Sequence, residues 1–226
     1  MLKCIIFDLD GTLTDSAPLI TNIVRETMLA LAGVDKPAEA YLPFVGPPLS
    51  VGFACEGVAS DCIDSYIDDY RERYERVQDK TPVFPGICAM LAQLKESGIT
   101  LAIATSKQRE VAVSVCEAIG LSQYFDYIAG ALSPHQPSTK AAIVGDVLAQ
   151  LQSRSILAPS CREHVGVYRD DVLMVGDRIY DIEGAREHGI ATVLVTWSAS
   201  TPISEYAQAW KVVDSVEELL SIVCEA

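Results

Sequence analysis

Positive charge is scarce in this chain: 17 lysines and arginines face 31 aspartates and glutamates, for a formal charge of -14. A surface of that sign repels a phosphodiester backbone, and no lysine- and arginine-rich stripe is present to reverse the field locally, so no nucleic acid partner is expected. A small anionic substrate held through a metal ion stays compatible. Histidine is scarcer still. The three present, His135, His164 and His188, are far apart in sequence, and each is read as a surface or loop residue rather than a ligand. The seven cysteines include no C-x-x-C pair, which removes the usual zinc and redox spacings and makes reduced, mostly buried thiols the expectation. Long apolar runs are missing too. The run after Lys3 is broken at Asp8, short of a signal-peptide core, and no other run approaches a membrane span. These absences predict a soluble, cytoplasmic protein without a membrane partner.

What is present is apolar sequence in short pieces. Runs rich in β-branched residues at Cys4–Leu9, Leu101–Ala104, Tyr127–Ala129, Val172–Val175, Thr192–Val195 and Lys211–Val213 alternate with helical periodicity at Glu110–Ile119, Lys140–Gln152, Ile179–His188 and Val216–Val223. This alternation predicts an α/β fold with a parallel sheet, whose strands are apolar throughout because both faces are covered. Residues 17–80 interrupt it. They hold no convincing strand, two helical stripes at Leu19–Leu31 and Ile63–Val77, and a stiff loop at Pro43, Gly46, Pro47 and Pro48. Asp61, Asp64, Asp68 and Asp69 fall mostly opposite the second stripe and read as a solvated face. The expected organisation is a core domain of residues 1–16 and 81–226 with a helical domain, residues 17–80, inserted after the first strand. Ser153–Val167 has no periodicity and reads as a surface excursion.

In a parallel sheet, ligands gather at the carboxyl ends of the strands. The polar residues that follow the apolar runs make chemical sense as a set: Asp8 and Asp10 after the first, Thr105, Ser106 and Lys107 after LAIA, and Asp177 and Asp181 after VLMV. Carboxylates on two strand ends would surround a hard cation with oxygen, as magnesium prefers, leaving room for phosphate and water. An EF-hand register is excluded, because it would put Ile6 and Ala17 at ligand positions. Thr105 or Ser106 can also cap the helix that follows. Lys140, early in a helix where the dipole disfavours a cation, is better explained if it faces an anion.

Together FDLDGTLTDS, AIATSK, Lys140 in PSTKAAIVGDVL, and VGDRIYDIEGAREHG resemble, in order and across nearly the whole chain, the four motifs of the haloacid dehalogenase superfamily. The helical insert, with FVGPPL at Phe44–Leu49, is similar to the small cap of its phosphoglycolate phosphatase-like subgroup. The resemblance implies a Rossmann-like core and roles position by position. Asp8 would be the nucleophile that becomes an aspartyl-phosphate. Asp10 would be the acid and then the base. Asp8, the Asp10 backbone carbonyl, Asp177 and Asp181 would form the magnesium site, with Asp181 either a ligand through water or a partner for Lys140. Thr105, Lys140 and the backbone around Gly11, Thr12 and Ser106 would hold the phosphoryl group. Phe44, Gly46 and Pro47 would bear on substrate choice, whereas Tyr66, Tyr70 and Tyr74 read mostly as packing within the insert.

Dehalogenases need no proton donor for a halide, so Asp10 favours phosphate esters. Arg178 departs from the family, which commonly has a small polar residue after the acid at position 177. The implied function is magnesium-dependent hydrolysis of a small phosphorylated metabolite, such as phosphoglycolate or a nucleotide or sugar phosphate. A sugar-phosphate mutase and a catalytically silent binding protein of the same fold are the alternatives.

Overall fold

The computed structural model describes residues 2–133, 138–157, 169–198 and 201–225. His135, His164, Cys161 and most of the Ser153–Val167 excursion lie outside them. Along the chain come β1 (Cys4–Phe7), α1 (Ala17–Ala32), α2 (Leu49–Cys55), α3 (Ile63–Glu75), α4 (Ile87–Glu96), β2 (Thr100–Gln108), α5 (Arg109–Ala118) and β3 (Tyr127–Ala131). Then follow α6 (Lys140–Ser153), β4 (Val172–Gly176), α7 (Ile179–Arg186), β5 (Ala191–Val195), β6 (Lys211–Val213) and α8 (Val216–Glu225).

The strands form one parallel sheet in the order β3-β2-β1-β4-β5-β6. The chain therefore winds outward both ways from the β1–β4 pair, which leaves a crevice at their carboxyl ends. Both faces are covered. Ile5 and Phe7 of β1 pack with Leu101, Ile103, Leu173 and Val175 under α4, α5 and α8. Cys4 and Ile6 point the other way, with Met174, onto Ile143, Val144 and Val147 of α6. That two-sided burial is why β1 has no polar position until the chain leaves the sheet at Asp8.

Residues 17–77 build a further cluster, in which Ile20, Val24 and Met28 of α1 meet Tyr41, Phe44, Phe53 and the Ile67, Tyr70 and Tyr74 stripe of α3, and which Val115 of α5 joins from the sheet side. Its entry and exit run side by side: the Asp15 N–H donates to the Pro82 carbonyl (2.9 Å) and Phe84 N–H to the Leu13 carbonyl (3.1 Å).

Several expectations change in detail. The stiff loop is shorter than the prolines indicated, since Pro43 sits inside a 3-10 turn (Ala38–Phe44) and Pro48 precedes α2. Asp61, Asp64 and Asp68 are exposed, but Asp69 accepts from Thr27 Oγ1 and Arg73 Nε, each at 2.7 Å. The six described cysteines are free, yet Cys55, Cys62, Cys88 and Cys224 are exposed because they fall at helix ends or on solvent faces; only Cys4 and Cys116 of the six are buried. His188 is half-buried, its Nε2 2.7 Å from the Ala141 carbonyl, and ties the end of α7 to α6. Among the described residues no helix is long and apolar enough to cross a membrane.

Candidate active site

Asp8 leaves β1 buried, its N–H bonded to the Val175 carbonyl of β4 (2.9 Å). Two residues on, Asp10 is also buried, and Gly11 turns the chain with φ 84°. A methyl group at Gly11 would overlap the Asp177 carboxylate, so glycine is required both by the turn and by the acid packed against it. Thr12 Oγ1 donates to Asp177 Oδ1 (3.4 Å), which fixes the first loop to the end of β4. Trp197, just past β5, donates Nε1–H to the Thr12 carbonyl (3.0 Å) and holds the same loop from the other side.

Lys140 stands at the first position of α6, behind Thr139, whose side chain accepts from Ala142 N–H and caps the helix. Its Nζ lies 3.0 Å from Asp8 Oδ1, 2.8 Å from Asp181 Oδ1 and 3.0 Å from the Ala104 carbonyl that it donates to. A buried cation at a helix N-terminus is costly alone, and these three acceptors offset the cost. Burial acts to lower the Lys140 pKa, but Asp181 and Asp8 outweigh it and hold the ammonium above the ordinary lysine value. For Asp8 burial wins. It lifts the carboxyl to about 7 against the pull of Lys140, with Asp181 adding repulsion.

Asp8, Asp177 and Asp181 present oxygens within 4.8 Å of one another, all three residues buried. Packed carboxylates of this kind repel unless a cation sits among them, and an all-oxygen donor set suits a hard divalent ion. Lys140 supplies one positive charge to the group, so the fit to a divalent cation is good in both charge and ligand chemistry. Asp181 has a second commitment, because its Oδ2 accepts from Arg178 N–H (3.1 Å) at the start of α7. Both its oxygens are thus engaged by protein, one as the partner of Lys140.

Thr105 is buried at the end of β2, its Oγ1 accepting from Lys107 N–H (3.3 Å). Thr105 and Ser106 do not cap α5, contrary to expectation. The strand runs on to Gln108, which precedes the helix without a side-chain cap. A register shift against β3 between Ala104 and Gln108 lets this polar stretch arch over the site instead. Lys107 points back from it, with Nζ 3.1 Å from Asp10 Oδ2 and 4.2 Å from the centre of the Tyr74 ring. The other oxygen, Asp10 Oδ1, is buried without a hydrogen-bond partner among the described residues.

A cavity of about 400 Å³ opens above these groups. Asp8, Asp10, Thr105, Ser106 and Lys107 form its floor, and Phe44, Gly46, Pro47, Tyr70 and Tyr74 are among its walls. The three positions expected to bear on substrate choice therefore do face the acids. Of the tyrosines, Tyr66 packs on Phe53, as expected, whereas Tyr70 and Tyr74 serve both the helical cluster and the cavity.

The arrangement has known counterparts. The model of the haloacid dehalogenase-like hydrolase family matches residues 5–195, which takes in all of these groups but Trp197. The chain belongs to that family. It is 34% identical to the tyrosine-protein kinase PtkA of Mycobacterium tuberculosis over 86% of its own length, but spans only 62% of that relative. It is 31% identical to the phosphoglycolate phosphatase of Caulobacter vibrioides over 85% of its length and 78% of the relative. Among solved structures, a predicted phosphatase from Clostridium acetobutylicum superposes with a TM-score of 0.87 at 30% identity, covering 100% of both chains.

Around this candidate site sit residues to which sequence reasoning gave no role. Lys107 and Trp197 carried a signal, since each follows an apolar run at the carboxyl edge of the sheet, as the assigned groups do. Glu205 carried none. It is buried in a 3-10 turn (Ile203–Gln208), accepting from Ile179 N–H at the start of α7 (2.6 Å) and from Arg178 Nη2 (3.4 Å). Arg178, the departure from the family pattern, uses Nη1 to donate to the Val45 carbonyl (2.6 Å) and so joins the Asp177 loop to the helical segment.

Proposed function

We propose that the protein is a magnesium-dependent phosphatase of small phosphate monoesters, working through an aspartyl-phosphate, with residues 17–80 as a cap over the site. The observation that carries this reading is the division of labour between two buried aspartates on the floor of one cavity: Asp8 is paired with Lys140 and belongs to the acid cluster, while Asp10 is paired with Lys107 instead. The Asp8 carboxylate attacks phosphorus as the bond to the leaving oxygen breaks, and Asp10 gives that oxygen its proton. In the second step Asp10 takes a proton from water, whose oxygen attacks the same phosphorus and frees Asp8. Thr105 Oγ–H and Lys140 hold the phosphoryl oxygens through both steps, and Asp181 keeps Lys140 aimed. Asp8, Asp177, Asp181 and the Asp10 carbonyl would hold the cation, which supplies charge neutralisation for the transferring group.

The cavity is the size of a small-molecule site. Phosphoglycolate, the substrate that names one relative, fits that scale. The test is phosphate release from a panel of monoesters, with magnesium or with excess chelator. Release that needs the metal and is lost in Asp8→Asn, in a variant that stays folded, supports the reading. Phosphate release only in the presence of a sugar bisphosphate would point to a mutase, and no turnover at all to a binding protein.

A further inference from the structure

The two lysines of the site are segregated. Lys140 serves Asp8 and Asp181, where the phosphoryl group would be held, and Lys107 serves Asp10, where the leaving group departs. The Lys107 side chain is 11% exposed. Burial acts to lower its pKa, but Asp10, then Tyr74 and Tyr70, keep it protonated. A lysine so enclosed is costly to keep charged for the sake of a single carboxylate. The Tyr74 ring fixes its direction, since the ammonium lies over the ring face, and both groups line the cavity. The other charged residues of the cavity wall are Arg71, Glu75 and Glu110; the two glutamates are exposed and Arg71 is partly so.

We propose that Lys107 is the residue that reads the leaving group, favouring substrates whose leaving alcohol or acid carries its own negative charge close to the scissile oxygen. This rests on the phosphatase reading. On that reading Asp10 is the acid that meets the leaving oxygen, and Lys107 Nζ stands 3.1 Å from Asp10 Oδ2 on the floor of the same cavity. An anionic group a few bonds beyond the scissile oxygen therefore meets Lys107, a neutral one leaves it without a substrate partner, and a cationic one is repelled.

Three substrates of matched size test this: phosphoglycolate, 2-hydroxyethyl phosphate and 2-aminoethyl phosphate. In the wild type kcat/KM should fall in that order. In Lys107→Met the value for phosphoglycolate should fall more than that for 2-hydroxyethyl phosphate, by on the order of 100-fold, chiefly in KM. Lys107→Arg should restore most of the ratio, and Lys107→Glu should bring 2-aminoethyl phosphate above phosphoglycolate. Equal losses on all three substrates would reduce Lys107 to a support for Asp10 and overturn the proposal, as would a wild type indifferent to leaving-group charge; both results leave the phosphatase reading intact. No release from any of the three, or from the wider panel, would overturn both.

Discussion

At Asp8, burial and charge pull against each other, and the balance can be read in solution. Its carboxyl stands at about 7 when folded, against 3.8 for an unperturbed aspartate. Between those values the metal-free folded protein keeps a proton that the unfolded chain has lost. Stability without metal should therefore fall as pH rises through that window and level off above it, at up to about 1.4 kcal/mol per pH unit. A divalent cation must displace the same proton, so stabilisation by magnesium should grow with pH until about 7. Thermal melts from pH 5 to 8, with chelator and with magnesium, check both trends; the same slopes in Asp8→Asn would assign the titration to another group. Lys140 depends on space as well as on partners. A methyl group at Gly184 of α7 would stand 2.7 Å from Lys140 Cγ and 2.9 Å from the backbone nitrogen of Ala141. Gly184→Ala should cost about 1–3 kcal/mol by overpacking. On the proposed mechanism it should also lower kcat more than it raises KM, because it displaces the cation assigned to the transferring phosphoryl group. A stability loss with kcat unchanged would show that α7 gives way instead of Lys140.

Among the elements, β1 and β4 were legible because burial on both faces leaves an uninterrupted apolar signature that stops where the chemistry starts. β2 was legible only as far as Ala104. Its last four residues, Thr105 to Gln108, are polar, and they are held extended by the site and by the neighbouring β3, not by their own preference. The start of α7 was legible in part. Asp181 was visible as a first-turn acid, but Glu205 comes from more than twenty residues away and from no periodic pattern, so local sequence could not indicate it. Its carboxylate takes an orphan N–H at the head of a helix whose first turn carries Asp181. Glu205→Ala should therefore cost about 1–3 kcal/mol, since it leaves the Ile179 N–H and the Arg178 guanidinium short of an acceptor. It should also weaken magnesium binding by loosening Asp181 and the Asp177 loop. Denaturant unfolding together with magnesium titration measures the two effects; a stability loss without any change in magnesium affinity would separate the helix cap from the metal site.

Over the whole molecule, the helical segment packs a cluster of its own that Val115 of α5 joins, faces the sheet across the cavity, and is linked to it by adjacent stretches of chain at Asp15–Pro82 and Leu13–Phe84. Polar ties join the two sides around that cavity: Arg178 to the Val45 carbonyl, Gln78 Nε2 to Ser114 Oγ (3.1 Å), and Lys107 to the face of Tyr74. The helical character of residues 17–80 was legible in the loss of strand signals there. The Arg178 tie was not, because its acceptor is a backbone carbonyl with no side-chain identity to read. A site for the proposed phosphoryl transfer has to admit substrate and then exclude water, so contacts that span its two sides set how readily they part. Arg178→Met removes the hydrogen bond to Val45 while keeping most of the apolar stem. Amide exchange should then quicken at residues 44–53 and in α3, with the β1 and β4 amides unchanged, because the sheet does not depend on the tie. Hydrolysis by such a loosened enzyme should show a raised KM for small esters. Exchange that quickens equally in β1 and β4 would mean that Arg178 instead supports the core itself.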